Sequence, residues 1–319
     1  MKIRIGTRGS PLALWQAKHV AALITERHPG VDAEMEIIKT SGDKILDAPL
    51  AKIGGKGLFT KEIEDALIER RVDMAVHSMK DLPTELPEGL VLAAVLTRED
   101  PRDAFVSRDG RRLEELEAGA RIGTSSLRRR AFLLNEFPGL EVLSIRGNLD
   151  TRLRKLEAED LAGVVLACAG MKRMGFSERI TTPMAVSRMI PAIGQGALGI
   201  EARVDDASIR GLAEALNDVT TATCVAVERA FLMRMGGGCQ VPMAAHAVIN
   251  GERLELKAAI VHPDGKEMIR DAAAGDPADV QMGVRLADIL IGRGGEAIMK
   301  DVLGDDWQPG PRMRSETGK

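Results

Sequence analysis

Tyrosine is absent from the 319 residues, and aromatic side chains make up only 3% of them. Cores must therefore be built from Leu, Ile, Val, Ala and Met, and a basic stretch without interleaved aromatics is a poor platform for stacking bases. Cysteine is scarce as well. Cys168, Cys224 and Cys239 have no C-x-x-C spacing and no neighbouring histidine cluster, which argues against a disulfide framework or a metal site and fits a reducing compartment. No apolar run reaches membrane-spanning length, and Met1-Lys2-Ile3-Arg4-Ile5 runs into a strand pattern without an apolar leader. A cytoplasmic protein without membrane contact is expected.

Hydrophobic residues (45%) and charged residues (29%) stand in ordinary globular proportion, and the length suits roughly two domains, with three small ones possible. The net charge of −3 argues against general nucleic-acid binding. That charge is uneven: between Arg121 and Arg173, ten Lys or Arg stand against six Asp or Glu. Such a local excess points to an anionic ligand, although a solvated helix face could supply much of it.

In chain order, Lys2 to Ile5 alternates as a strand that Gly6-Thr7-Arg8-Gly9 breaks. Ser10-Pro11 then starts a helix with Ala13, Ala17, Val20 and Ile24 as its apolar stripe. Val31 to Ile37 predicts a second strand. The glycine-rich segment from Lys52 to Phe59 lacks the spacing of a phosphate loop and predicts a mobile flap. Val72 to Val76 predicts a strand delivering His77-Ser78-Met79-Lys80-Asp81-Leu82-Pro83 at its end, where open α/β sheets place ligand contacts; a capped loop before Pro83 is the plainer alternative.

Arg98 to Asp103 has the character of a hinge, after which the pattern repeats. Thr124-Ser125-Ser126 follows one strand and caps the helix bearing Arg128 and Arg129; Arg146-Gly147-Asn148 follows another; a third ends near Lys172-Arg173. Arginine at three strand ends points to a cleft. Ala197 to Glu201 predicts a strand returning to the first unit, and a helix over 207–216 follows. A helix from about Thr221 to Met235 enters Gly236-Gly237-Gly238-Cys239-Gln240-Val241-Pro242, where Cys239 is either a reachable thiol or a small buried residue at a helix end. Asn250-Gly251 and Pro263-Asp264-Gly265 predict hairpin turns, and a single helix is expected from Ala278 to about Val302. The punctuation gives a first domain of residues 1–97 and 197–216, a second of 102–191, a third of 219–303, and a flexible tail, 304–319. The expected class is α/β, two domains about a cleft, with a small C-terminal α+β domain.

Taken in order, Gly6-Thr7-Arg8-Gly9-Ser10, His77 to Pro83, Gly123-Thr124-Ser125-Ser126-Leu127-Arg128-Arg129, Arg146-Gly147-Asn148 and Gly238-Cys239-Gln240-Val241-Pro242 resemble the porphobilinogen deaminase family over nearly the whole chain. The resemblance implies periplasmic-binding-protein-like first and second domains, and a monomer. It implies a transferase of tetrapyrrole (porphyrin and heme) biosynthesis: four porphobilinogen molecules condense head to tail with loss of ammonia, and hydroxymethylbilane is released by hydrolysis. It also implies a dipyrromethane cofactor in thioether linkage to Cys239. By the same match Ser78, Lys80, Asp81, Thr124, Ser126, Arg128, Arg129 and Arg146 hold the cofactor. Arg8, Gln16, Arg146, Arg152 and Arg173 engage substrate or growing chain. Asp81 is the catalytic carboxylate, stabilising the cation left when ammonia departs, and Lys56, Phe59 and Lys61 belong to the mobile loop.

Two other readings use the same residues. A non-catalytic anion receptor of two lobes explains the arginines but leaves Cys239 and Asp81 idle. A thiol hydrolase would pair Cys239 with His77 or His246.

Overall fold

The computed structural model describes residues 1–44, 57, 59–237 and 241–311. Its frame is three sheets, two of which repeat one plan. In the first, β1 (Lys2–Thr7), β2 (Asp32–Ile37), β3 (Met74–Ser78), β4 (Leu90–Val95) and β10 (Leu198–Arg203) stand in the order β2-β1-β3-β10-β4. The second has β5 (Asp103–Ser107), β6 (Arg121–Gly123), β7 (Glu141–Leu143), β8 (Gly163–Ala167) and β9 (Thr182–Pro183) in the order β7-β6-β8-β5-β9. In each, three neighbouring strands run parallel and the fourth lies antiparallel to them. The chain crosses between the sheets twice, through residues 96–102 and 184–197, and each crossing feeds an antiparallel strand. The expected return of the segment after Ala197 to the first sheet is what β10 does.

Helix α1 (Pro11–Arg27) begins as its residues predict: Ser10 Oγ accepts the Ala13 N–H and Pro11 opens the first turn. Ala17, Val20 and Ile24 are fully buried against Ile3, Ile5 and Met74. On the opposite face α2 (Lys61–Ile68) packs Ile63 and Leu67 onto Ala75. Strand β1 continues through Gly6 and Thr7 instead of breaking there, because a Cβ on Gly6 would lie only 3.1 Å from Val72 and the bare backbone lets the sheet close. The bend falls after Thr7, which leaves Arg8 at the strand's C-terminal edge.

In the second lobe α3 (Leu127–Glu136), α4 (Leu149–Ala158) and α5 (Cys168–Arg173) follow β6, β7 and β8. The first lobe is completed by α6 (Ala207–Glu214). Then α7 (Val219–Arg234) packs on the third sheet, β11 (Met243–Asn250), β12 (Arg253–Val261) and β13 (Met268–Gly275), a meander turned at both predicted hairpins. The single long helix expected after Ala278 is interrupted. It forms as α8 (Gln281–Leu290) and α9 (Glu296–Leu303), separated by a wide turn at Ile291–Gly295 in which Gly294 takes φ +109°. The first part of the expected free tail also docks: Trp307 is 9% exposed in the core between α7 and the third sheet, and the Gly310 N–H donates to the Arg234 carbonyl.

Gly147 is the glycine on which a site residue depends most. Its φ is +116°, and a Cβ there would sit 2.4 Å from Thr151 Cγ2. Gly147→Ala is expected to destabilise the second lobe by about 1–3 kcal/mol, the usual cost of a non-glycine residue forced into such a conformation. A urea midpoint equal to that of the unsubstituted chain would remove the constraint.

Candidate active site

Strand ends from both lobes supply the site. Arg8, half-buried after β1, lays its guanidinium 4.2 Å from the centre of the Phe59 ring. Gln16, on the first lobe's α1 and 4% exposed, donates from Nε2 to Ser78 Oγ at 2.9 Å. Ser78 ends β3, and the chain turns through the short helical turn Met79–Asp81. That turn is wedged from behind: Met79 and Leu82 are buried against Val225 of α7, and Arg229 donates to the Leu82 and Pro83 carbonyls at 3.1 and 2.5 Å. Arg8, Gln16, Phe59, His77, Ser78 and Asp81 line one small cavity. A larger cavity of about 400 Å³ lies between β4, α6 and α7, with Leu92, Val95, Ala222 and Val225 among its lining and Glu214 and Arg229 its charged residues.

Asp103 organises the facing lobe. Fully buried, it takes Arg128 Nη1 and Nη2 at 2.7 and 3.1 Å, Arg129 Nε at 2.8 Å and Gln195 Nε2 at 3.0 Å. Burial alone would raise its carboxyl; the two guanidiniums outweigh that and hold it well below the ordinary carboxylate range. Arg128 is thereby turned into the lobe, with Nη1 also on the Ile190 carbonyl. Arg129 reaches the Val165 carbonyl and Gln195 Oε1. Ser126 Oγ caps α3 by accepting the Arg129 N–H, and Thr124 Oγ1 accepts the Ser126 N–H. Asn148 caps α4 on Thr151, and Arg152 Nε donates to the Gly147 carbonyl at 2.9 Å.

The two lobes meet electrostatically. Burial first, then the charges of Arg129 and Arg146, bring the Arg152 guanidinium down to about 10, with Asp81 across the cleft opposing them. Burial likewise brings the Lys80 ammonium down to about 8; Asp81 opposes this most, Arg129 and Arg128 add to it, and Asp103 also resists. Burial lowers Arg173, which donates to the Gly196 carbonyl at 2.7 Å and lies 5.9 Å from the centre of the Trp15 ring. Lys61 is exposed at the start of α2. Lys56 and Cys239 lie outside the described residues.

Lys80 carries a pH prediction with a definite sign. Its folded value is depressed, so the folded chain binds fewer protons than the unfolded one between about pH 8 and the ordinary lysine range, and the folded state gains stability as pH rises through that window. Affinity for a polycarboxylate runs the other way, since the cation is lost above about pH 8. Binding titrated at pH 7 and pH 9 should weaken at the higher pH in the unsubstituted chain and change less in Lys80→Met; equal weakening in both would show that Lys80 does not supply the dependence.

The thiol of the hydrolase reading is Cys239, outside the described residues, and the two described cysteines offer no second candidate. Burial pushes the Cys168 thiol up to about 12 and the Cys224 thiol up to about 11, which removes the nucleophilic thiolate. His77 Nε2 is bonded to buried Glu201 at 2.9 Å, and His246 Nδ1 lies 3.3 Å from buried Glu228. Sequence reasoning passed over Asp103, Gln195 and these two glutamates. For Asp103 a signal existed: it ends the Arg-Glu-Asp-Pro-Arg-Asp run taken only as a hinge.

Fold and site together define a two-lobed α/β protein whose second lobe sets arginines against a carboxylate of the first. The family description "Porphobilinogen deaminase, dipyromethane cofactor binding domain" matches residues 3–211, and "Porphobilinogen deaminase, C-terminal domain" matches residues 222–292. The chain belongs to the porphobilinogen deaminase family, whose members are transferases. It is 54% identical to the porphobilinogen deaminase of Trichlorobacter lovleyi over 94% of this chain and 96% of that one. Identity to the porphobilinogen deaminase of Syntrophotalea carbinolica is 51%, over 93% and 95%. For that of Geobacter sulfurreducens it is 50%, over 94% and 95%. Among solved structures, a methionine-binding protein, MetQ, superposes with a TM-score of 0.44 at 13% identity, over 67% of this chain and 89% of that one.

Proposed function

We propose that the chain condenses four porphobilinogen molecules head to tail in tetrapyrrole biosynthesis, with Asp81 as the catalytic carboxylate and the facing cations as the cradle for the acidic chain. The observation carrying this reading is the family match over residues 3–211 and 222–292, with Asp81 in one cavity with Arg8, Gln16 and Ser78. The residues present fit a dipyrromethane. Its carboxylates need desolvated cations, which Lys80, Arg129 and Arg152 are, and buried Arg128 Nε has no hydrogen-bond partner among the described residues. Charge-assisted hydrogen bonds of this kind contribute about 1.5–3 kcal/mol each. When bound, the dipyrromethane supplies the terminal pyrrole to which porphobilinogen units are joined.

Cys239 is the proposed anchor. The approach to it supports this: a Cβ on Gly237 would stand 3.2 Å from Thr84 Oγ1, three residues beyond Asp81. Ser78, Thr124 and Ser126 add hydroxyls to the cradle, Arg8, Gln16 and Arg173 receive substrate, and Phe59 with Lys61 closes the side where Arg8 lies. Lys56 has its proposed place in the same loop. Asp81, backed by α7, keeps a negative charge where the methylene carbon of the substrate becomes positive as ammonia leaves. Domain limits at 97, 102–191, 197–216 and 219–303 suit the three sheets. No described helix is long and apolar enough to cross a membrane. A cytoplasmic monomer that binds no nucleic acid completes the proposal.

The test is direct. The purified chain should consume porphobilinogen, release ammonia in step with it, and stain with acid Ehrlich reagent before substrate is added. A colourless protein that binds polycarboxylates without releasing ammonia would favour the receptor reading.

A further inference from the structure

Below the reaction cavity lies a cluster of titratable groups that the proposed function does not use. His77 lines that cavity, yet it is 6% exposed and its Nε2 sits 2.9 Å from Oε2 of Glu201, a carboxylate with no exposed surface. The pairing follows from register. His77 is directly opposite Gly199 in the antiparallel β3–β10 pair, so Glu201, two residues further along β10, projects from the same face. From α2, Glu64 looks onto the pair. Glu64 is 7% exposed, burial pushes its carboxyl up, the Glu201 charge adds to that and His77 offsets it. Neither Glu64 Oε1 nor Glu201 Oε1 has a hydrogen-bond partner among the described residues. Beyond Glu201 on β10, Arg203 is engaged elsewhere, by the Leu67 and Val72 carbonyls and by Asp206. Asp81 and Arg8 are the charged groups on the cavity side.

Two buried carboxylates around one imidazole are a costly arrangement for a site with only a packing role. With its proton on Nε2 and donated to Glu201, the imidazole keeps Nδ1 as an acceptor. The reaction supplies such traffic. Each condensation forms one C–C bond and breaks one C–N bond: the substrate's ammonium group departs as neutral ammonia, the pyrrole α-carbon gives up a proton once the C–C bond has formed, and that proton ends on the ammonia as ammonium. A group beside Asp81 that holds the proton between its release and its transfer to ammonia keeps the step in balance.

We propose that His77, held by Glu201 and flanked by Glu64, is a positioning residue for that proton, receiving it at Nδ1 from the Asp81 side of the cavity and returning it within the same cycle. This rests on the reading of the chain as a porphobilinogen-condensing enzyme. Consumption of porphobilinogen by the unsubstituted chain tests that reading, and the variants below test only His77.

Histidine-selective ¹⁵N labelling of the holoenzyme, with the His77 signal assigned by its loss in His77→Gln, reads the tautomer without turnover. The inference requires a proton on Nε2 and a bare Nδ1; a proton fixed on Nδ1 overturns it. In kinetics, His77→Gln with full cofactor content should lose about 10²-fold in kcat, the scale of one acid–base group, with KM changed less than threefold. The pH profile of its kcat should also differ from that of the unsubstituted enzyme. A kcat within threefold of the unsubstituted enzyme and an unchanged pH profile overturn the inference. If His77→Gln does not fold, Glu201→Gln decides: a tenfold lower kcat with an altered pH profile supports it, and an unaltered profile overturns it.

Discussion

Asp81→Ala is expected to lower kcat by about 10²–10³-fold while changing KM little. The charge of Asp81 matters most when the substrate methylene becomes cationic, so its removal withdraws an interaction stronger in the transition state than in the bound substrate. Loss of one preorganised electrostatic partner costs about 10²–10³-fold, and each of the successive additions is slowed alike. Asp81→Asn keeps the shape and should fall nearly as far. Asp81→Glu keeps the charge on a longer stem and should retain more. The measurement is ammonia release at saturating porphobilinogen in variants matched for cofactor content. Near-normal turnover in both Asp81→Ala and Asp81→Asn would take Asp81 out of the chemistry.

The second large effect is on stability. Asp103→Asn leaves Arg128 and Arg129, 4% and 5% exposed, as buried guanidiniums without their shared carboxylate. Breaking a buried pair by deleting one partner costs about 3–5 kcal/mol, and here two cations lose it together. Gln195, which ties the Pro101 carbonyl to Asp103, loses its anchor too. Urea unfolding should show the midpoint of Asp103→Asn well below that of the unsubstituted chain, while Asp109→Asn, from an exposed pair with Arg111, stays close to it. Because the Asp103 carboxyl is depressed in the folded chain, its contribution is complete above the ordinary carboxylate range and is lost only on acidification below it. If Asp103→Asn unfolds with Asp109→Asn, the ion-pair cluster is not what holds the second lobe.

Much of this arrangement was legible in the residues. Ser10-Pro11 announced α1 and the hairpin dipeptides placed the third sheet, because turn and cap chemistry is local. What stayed hidden depends on partners far apart in sequence. Arg128 and Arg129 look like free ligand-binding cations until β5 brings Asp103 beneath them, and nothing near His77 names Glu201 as its partner. The break between α8 and α9 was missed because the apolar stripe carries on through Ile291 while the run of glycines, with one left-handed residue, interrupts the backbone. Trp307 reads as part of a loose tail because a lone aromatic after a polar stretch has no periodicity to betray its burial.

Intact mass spectrometry of the purified chain, before and after porphobilinogen, tests the central claim most directly. The account predicts a mass above that of the bare sequence by one dipyrromethane unit, rising in equal steps as substrate is added, and no such increment in Cys239→Ser. A chain that has the bare-sequence mass and still releases ammonia from porphobilinogen would contradict it.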